Sequence, residues 1–246
     1  MSGVEIAVVL GASLLGAFVK SVTGMGYPLL AVPLITLVLG VEDAVVIVAA
    51  PNVTANALLC FGARHARHEA RDLKTLVGFG MAGAVVGTFA LVSVPEDPLL
   101  VALVLTIAAF VVNYVRAPEV AIDPATAARF APGVGVVVGL MQGAVGVSGP
   151  VVATWLHGYR LPKQTYVYAV TLIFGLSGLV QLVLLATSGA YDLTLAAVSA
   201  LAFVPVLAMI PVGTALRSRL GGPAFERAVL AVLVASAIAL LARVLG

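Results

Sequence analysis

The chain has 246 residues, 62% of them hydrophobic and 10% charged, with a mean hydropathy of +1.17. A soluble domain carries about 25% charged residues, so composition excludes a water-soluble globule and makes lipid the solvent for most of the surface. The net charge of +2 is small, no nucleic-acid partner is expected, and the single cysteine, Cys60, excludes an internal disulfide.

Apolar segments fall at about 5–39, 43–62, 75–94, 98–115, 131–157, 165–187, 193–215 and 224–245. The first follows Met1–Glu5, which has no positive n-region, so a retained helix is expected rather than a cleaved signal peptide. Six segments have single-span length. Residues 5–39 as one straight helix would run about 52 Å at ~1.5 Å per residue, against ~30 Å of hydrocarbon. Residues 131–157 are also long. Each of these two is either one kinked span or a hairpin that turns where glycines interrupt it.

The interruptions are related. Residues 20–28 read Lys-Ser-Val-Thr-Gly-Met-Gly-Tyr-Pro, and residues 142–150 read Gln-Gly-Ala-Val-Gly-Val-Ser-Gly-Pro. A shift of 122 residues lays Gly24 on Gly146, Met25 on Val147 and Pro28 on Pro150. In both, glycines break a hydrophobic run and a proline restarts a helix. Membrane transporters use such breaks to offer backbone groups to a substrate.

Charge separates the two topologies. With one span per segment, Arg64, Arg67, Arg71, Lys74, Arg116 and Arg129 face Arg160, Lys163, Arg217, Arg219 and Arg227 across the membrane, against the positive-inside rule. With both long segments as hairpins returning to their own side, all of these become cytoplasmic. Only Lys20 and Arg243 remain outside the set. Glu42, Asp43, Glu96, Asp97 and Asp192 then fall outside the cell. The expected fold is an all-α polytopic membrane protein of two inverted-topology repeats. Each repeat is a broken, re-entrant-like helical hairpin plus three transmembrane helices. The boundaries are 1–117 for the first repeat, 118–130 for the joining loop and 131–246 for the second. A parallel four-plus-four arrangement is the competitor.

The first break can make an anion site without a full charge. Gly24 and Gly26 permit close approach of backbone, and Pro28 suits the first turn of a new helix. Free N–H groups near Gly26 and Tyr27 would point into the break with the positive helix end behind them. Ser21 and Thr23 add hydroxyls. The second break offers Gly146, Gly149 and Pro150, with Gln142 and Ser148. The competing reading is that these glycines only let helices pack closely. Lys20 is costly in a span, by about 2.5–3.5 kcal/mol on insertion scales. It either faces a cavity or partner, or snorkels to an interface.

Asn52 and Asn56 share a helix face beside the helix breaker Pro51. They either line the pathway or bond between helices. Ser177 and Gln181 share a face below Thr171, with the same alternatives. Trp155, His157, Tyr159, Tyr166 and Tyr168 fit an interfacial aromatic belt. His65 and His68 lack a cysteine partner and make a weak metal signal. No HExxH, GxSxG or Walker sequence occurs, and no carboxylate lies clearly inside a span. That speaks against a protease, an ATP-driven pump and a carboxylate proton relay. No enzyme activity, cofactor or metal is expected.

The stretches GAFVKSVTGMGYPLLAVPLI at 16–35 and GLMQGAVGVSGPVVATWLHGYRLP at 139–162 resemble the paired motifs of the TauE/SafE family of sulfite exporters and sulfonate permeases. The resemblance covers essentially the whole chain. It implies an inner-membrane transporter of sulfite, sulfonates or related organic anions. The family glycines carry over onto Gly24, Gly26, Gly143, Gly146 and Gly149. Ser21, Tyr27, Ser148 and Pro150 stand where some relatives have glycine.

The combined expectation is a multi-pass secondary transporter with both termini extracytoplasmic. A small anion would bind between the breaks at Lys20, Ser21, Thr23, Gly24, Gly26, Tyr27, Asn52, Asn56, Gln142, Gly146, Ser148 and Gly149. Protons or sodium are the candidate coupling ions, and an oligomer is compatible with the chain. The alternatives are a passive anion channel and a membrane subunit of a sulfur-metabolising system.

Overall fold

The computed structural model describes residues 1–24, 26–116, 121–220 and 223–245. Among them the regular structure is all helical. The α-helices are α1 (Gly3–Thr23), α2 (Tyr27–Leu39), α3 (Val41–Ala63), α4 (Leu73–Ser93), α5 (Glu96–Arg116), α6 (Pro124–Val145), α7 (Gly149–Gly158), α8 (Lys163–Thr187), α9 (Leu193–Leu220) and α10 (Pro223–Leu245). A short 3-10 stretch occupies Arg64–Glu69. Among the described residues eight helical stretches are long and apolar enough to cross a membrane, and α2 and α7 are not.

Both long apolar segments divide into a span-length first arm and a short second arm. α1 has 21 residues and α2 has 13; α6 has 22 and α7 has 10. The chain reverses at each division. A Cβ on Gly16 would stand 2.6 Å from the Tyr27 carbonyl oxygen, and the Tyr27 and Ser13 hydroxyls share a hydrogen bond of 3.3 Å. A straight helix would put Ser13 and Tyr27 ~21 Å apart, so α2 runs back along α1. In the second half, Val152, Trp155 and Leu156 of α7 lie beside Val134, Gly135 and Val138 of α6. The Ile122 N–H reaches the Gly158 carbonyl at 3.0 Å.

α6 starts seven residues earlier than the sequence suggests. Asp123 caps it, accepting from the N–H groups of Ala125 and Thr126, and Pro124 takes the first helical position. The apolar count hid this start, because Pro124, Thr126 and Arg129 interrupt the apolar residues of the first turns. The expected boundary at 117–118 lies outside the described residues.

The basic loops of both halves meet at one end of the bundle. The Tyr159 hydroxyl donates to Asp72 at 3.1 Å, and the Arg71 guanidinium lies 5.4 Å from the centre of the Tyr159 ring. Burial pushes the Tyr159 phenol up to about 12, so it stays a neutral donor. Tyr114 joins Glu226, which brings the end of α5 to the start of α10. The side chains of Arg217 and Arg219 lie outside the described residues. The opposite end holds Asp43, Glu96 and Asp192, close enough to interact electrostatically. There Arg243 pairs with Glu96 at 3.4 Å and donates to the Thr36 carbonyl at 2.7 Å.

The halves interlock. α1 packs on α9, and α4 packs on α6. α3 touches α9, and α8 touches α4. α2 meets α10, α7 meets α5, and α3 faces α8 at the centre. Each contact has its counterpart under the 122-residue offset. The α4–α6 seam is backbone on backbone. A Cβ on Gly143 would stand 2.5 Å from the Ala84 carbonyl oxygen, and one on Gly135 2.9 Å from that of Leu76. Gly139 and Gly83 are tighter still. Pairs matched as Leu76 with Gly135 and Ala84 with Gly143 show that α4 and α6 run in the same direction.

Pro51 does not break α3, which continues through it. Its missing N–H leaves the Ile47 carbonyl without its helical donor. The Ser199 hydroxyl of α9 supplies one at 2.9 Å, and the Tyr191 hydroxyl serves the neighbouring Val46 carbonyl at 2.6 Å. A proline inside a membrane helix is tolerated when neighbouring side chains satisfy the freed carbonyl in this way.

Candidate functional site

The two breaks are built alike. Gly24 ends α1 at φ 92°, and its N–H donates to the Lys20 carbonyl at 2.7 Å. Gly146 ends α6 at φ 69°, and its N–H donates to the Gln142 carbonyl at 2.9 Å. Both are left-handed caps that favour glycine. The restarts differ. Gly26 precedes α2 at φ 118°, whereas Ser148 precedes α7 at φ −128°.

Lys20 does not snorkel. It is 1% exposed and turned into α3. Its ammonium donates to Asn56 Oδ1 at 2.7 Å and to Asn52 Oδ1 at 3.4 Å. Asn56 Nδ2 in turn donates to Asn52 Oδ1 at 3.2 Å. The Phe174 ring of α8 lies 6.0 Å from the ammonium. Among the described residues no carboxylate lies within ion-pair reach of Lys20. The two amides therefore do more than join helices: they hold an ammonium that has no carboxylate beside it among the described residues.

The second half places a neutral cluster at the equivalent point. Ser148 donates to Gln142 Oε1 at 3.1 Å. Gln181 of α8 donates to the Gln142 and Gly143 carbonyls at 2.8 and 3.0 Å. The Gln142 amide faces Gln181 Oε1 at 3.4 Å. Gln181 thus fastens the end of α6 to α8. Gly149 is buried, yet a Cβ there would meet nothing within 4 Å. The second break therefore keeps free space beside its backbone.

Other expected site residues face elsewhere. The Tyr27 side chain is fully buried and reaches back to Ser13, so it fastens the hairpin instead of facing the break. Ser21 donates to the Phe18 carbonyl at 2.8 Å and abuts Gly213 of α9. Gly143 belongs to the α4–α6 seam, where the packing reading holds. Gly146 sits against the side chains of Val45 and Val32.

Thr23 and Gly26 line a cavity of about 580 Å³, a usual size for small-molecule sites. Val19, Leu29, Phe110, Phe225, Val229 and Leu230 form much of its wall, and Asn113, Tyr114, Thr154, His157, Tyr166 and Glu226 supply polar groups. It reaches the α1 residues on either side of Lys20 in sequence without including Lys20 itself. Tyr166 and His157 therefore belong to a cavity wall as well as to an aromatic cluster. Glu226 is an exception to the expectation that carboxylates stay out of spans: it stands in the first turn of α10 and inside the cavity. Asn113, Thr154 and Glu226 carried no sequence signal, because helices more than forty residues apart bring them together. Among the described residues no cluster of His, Cys, Asp or Glu could hold a metal ion.

A family model described as sulfite exporter TauE/SafE matches residues 9–240. No curated protein and no solved structure matches the chain.

Proposed function

Because the chain belongs to the sulfite exporter TauE/SafE family, we propose that it is a secondary transporter that moves a small sulfur-containing or organic anion across the inner membrane. The anion binds at mid-depth between the two breaks, with Lys20 as its full positive charge. Asn52 and Asn56 position the ammonium. Thr23, Gly26 and the first-turn N–H groups of α2 line the approach, and Gln142, Ser148 and Gly149 form the neutral second wall. Ser21, Gly24, Tyr27 and Gly146 shape the breaks without touching the anion. Residues 1–117 and 124–246 act as inverted repeats joined by 118–123, the second beginning earlier than the expected 131 because α6 starts at Pro124, with the basic end cytoplasmic and both termini extracytoplasmic.

One observation carries the reading: Lys20 is buried at a helix break and held by two amide oxygens, with no carboxylate beside it among the described residues. A buried ammonium without a counter-charge is costly, and a bound anion would supply that charge. The inverted arrangement is supported by the chain reversals at Tyr27 and Gly149 and by the gathering of basic loops at one end. The family supports the transport class.

The test is a thermal-shift screen of purified protein against methanesulfonate, sulfite, sulfate, carboxylates and amines. A sulfonate or sulfite should stabilise the protein, and amines should not. Gly149→Val should remove the shift while keeping the baseline melting temperature, because its side chain enters open space. Stabilisation by amines alone would refute the anion site.

A further inference from the structure

We infer that Glu226 is the proton-coupling group of the transport cycle, and that anion and proton cross in the same direction. The inference rests on the transport reading above and adds the coupling ion and its sense.

The cavity that reaches Thr23 and Gly26 of the first break also contains Glu226 of α10. Its wall is largely apolar, and its lining among the described residues includes no lysine or arginine. An anion on its way to the break therefore shares an apolar-walled space with a carboxylate. Like charges held in one space repel. Protonating Glu226 removes that repulsion, so proton and anion favour each other. Linkage makes this reciprocal: whatever factor protonation adds to anion affinity, the anion adds to proton affinity. Two ligands that favour each other in one site travel together, which is symport. Competition between them, which gives exchange in opposite directions, would need a cationic substrate.

The neighbours of Glu226 suit this role. The Tyr114 hydroxyl of α5 donates to Glu226 Oε2 and orients the carboxylate. His157 of α7 and Tyr166 of α8 are the other titratable groups on the cavity wall. α1 and α2 contribute Val19, Thr23, Gly26 and Leu29, none of which titrates at ordinary pH. Arg227, next along α10, acts electrostatically on Tyr114. It has an interaction of its own. His157 is exposed and Glu226 half-buried.

The experiment uses the full chain in proteoliposomes with labelled methanesulfonate, which stays ionised and does not leak as a neutral acid. Two modes are compared: exchange at equal pH, and accumulation driven by a pH gradient. For electroneutral symport, one pH unit acid outside should raise wild-type accumulation about tenfold. Glu226→Gln keeps a side chain that accepts from Tyr114. It should still exchange, with no gradient-driven accumulation and no dependence of rate on pH. Tyr114→Phe should keep coupling but move its pH midpoint, which tests the pair even if the glutamine variant fails to fold. His157→Gln should keep the gradient response. Wild-type exchange without a gradient response, stimulation by acid inside, or a full gradient response in Glu226→Gln would overturn the inference and leave the transport reading standing. Absence of wild-type exchange would remove both.

Discussion

Lys20 and Gln142 hold the same place in the two halves: each offers its backbone carbonyl to a left-handed glycine, Gly24 at 2.7 Å and Gly146 at 2.9 Å. Their side chains differ. The first places a charge between Asn52 and Asn56, and the second places a neutral amide against Gln181 and Ser148. The repeated fold thus yields one charged wall and one neutral wall. In the proposed reading, this pair of walls would hold one anionic head without a second cation.

The α4–α6 seam should be the most sensitive part of the fold to added volume. A Cβ on Gly139 falls on backbone of Gly80 and Ala84, which cannot swing aside. Gly139→Val should cost several kcal/mol, beyond the ~1–3 kcal/mol of ordinary overpacking, and should lower the yield of monodisperse protein. Gly78 lies on the same helix as Gly80 but faces open space. Gly78→Val should leave the melting temperature nearly unchanged. Equal behaviour of the two variants in fluorescence-detected size exclusion would remove the seam from the account.

Ser199 should matter only because Pro51 is present. Ser199→Ala leaves the Ile47 carbonyl without a donor, at a cost of about 1 kcal/mol. Pro51→Ala restores the N–H that a helix supplies to that carbonyl. The double variant should therefore recover most of what Ser199→Ala loses. Additive losses in a double-mutant cycle would mean that the hydroxyl acts through packing.

The sequence made the helices legible through apolar length, and the breaks through paired glycine and proline. The gathering of the basic loops at one end was also legible, since the loop holding Tyr159 and Arg160 meets Arg71 and Asp72 only if the chain turns back at Gly149. Other features needed the folded chain. The direction of Tyr27 follows from the reversal that brings it to Ser13, a relationship invisible in a linear run. Gly135, Gly139 and Gly143 repeat every fourth residue and could have marked a close helix contact. The partner helix, with Gly80, Gly83 and Gly87, could not be chosen from the spacing. Glu226 gave no signal in the linear sequence, and only the packing of α10 on α5 and α2 sets it in a cavity wall.

The orientation can be checked by labelling. Asp97 is exposed at the acidic end and His65 at the basic end. In a Cys60→Ser background, Asp97→Cys should react with an impermeant maleimide in intact cells. His65→Cys should react only after permeabilisation. Labelling of His65→Cys from outside would overturn the proposed topology.

The central claim is that Lys20 carries the charge that binds the anion, and methanesulfonate uptake by Lys20 variants tests it most directly. Lys20→Met removes the charge and keeps the length of the side chain, while Asn56 can still donate to Asn52. Losing one partner of a buried charged contact costs about 2–5 kcal/mol, so half-saturation should rise about thirtyfold or more. Lys20→Arg should keep part of the activity, since the charge stays and its geometry changes. Both proteins should elute as the wild type does. A Lys20→Met protein that takes up methanesulfonate with wild-type rate and half-saturation would contradict the account.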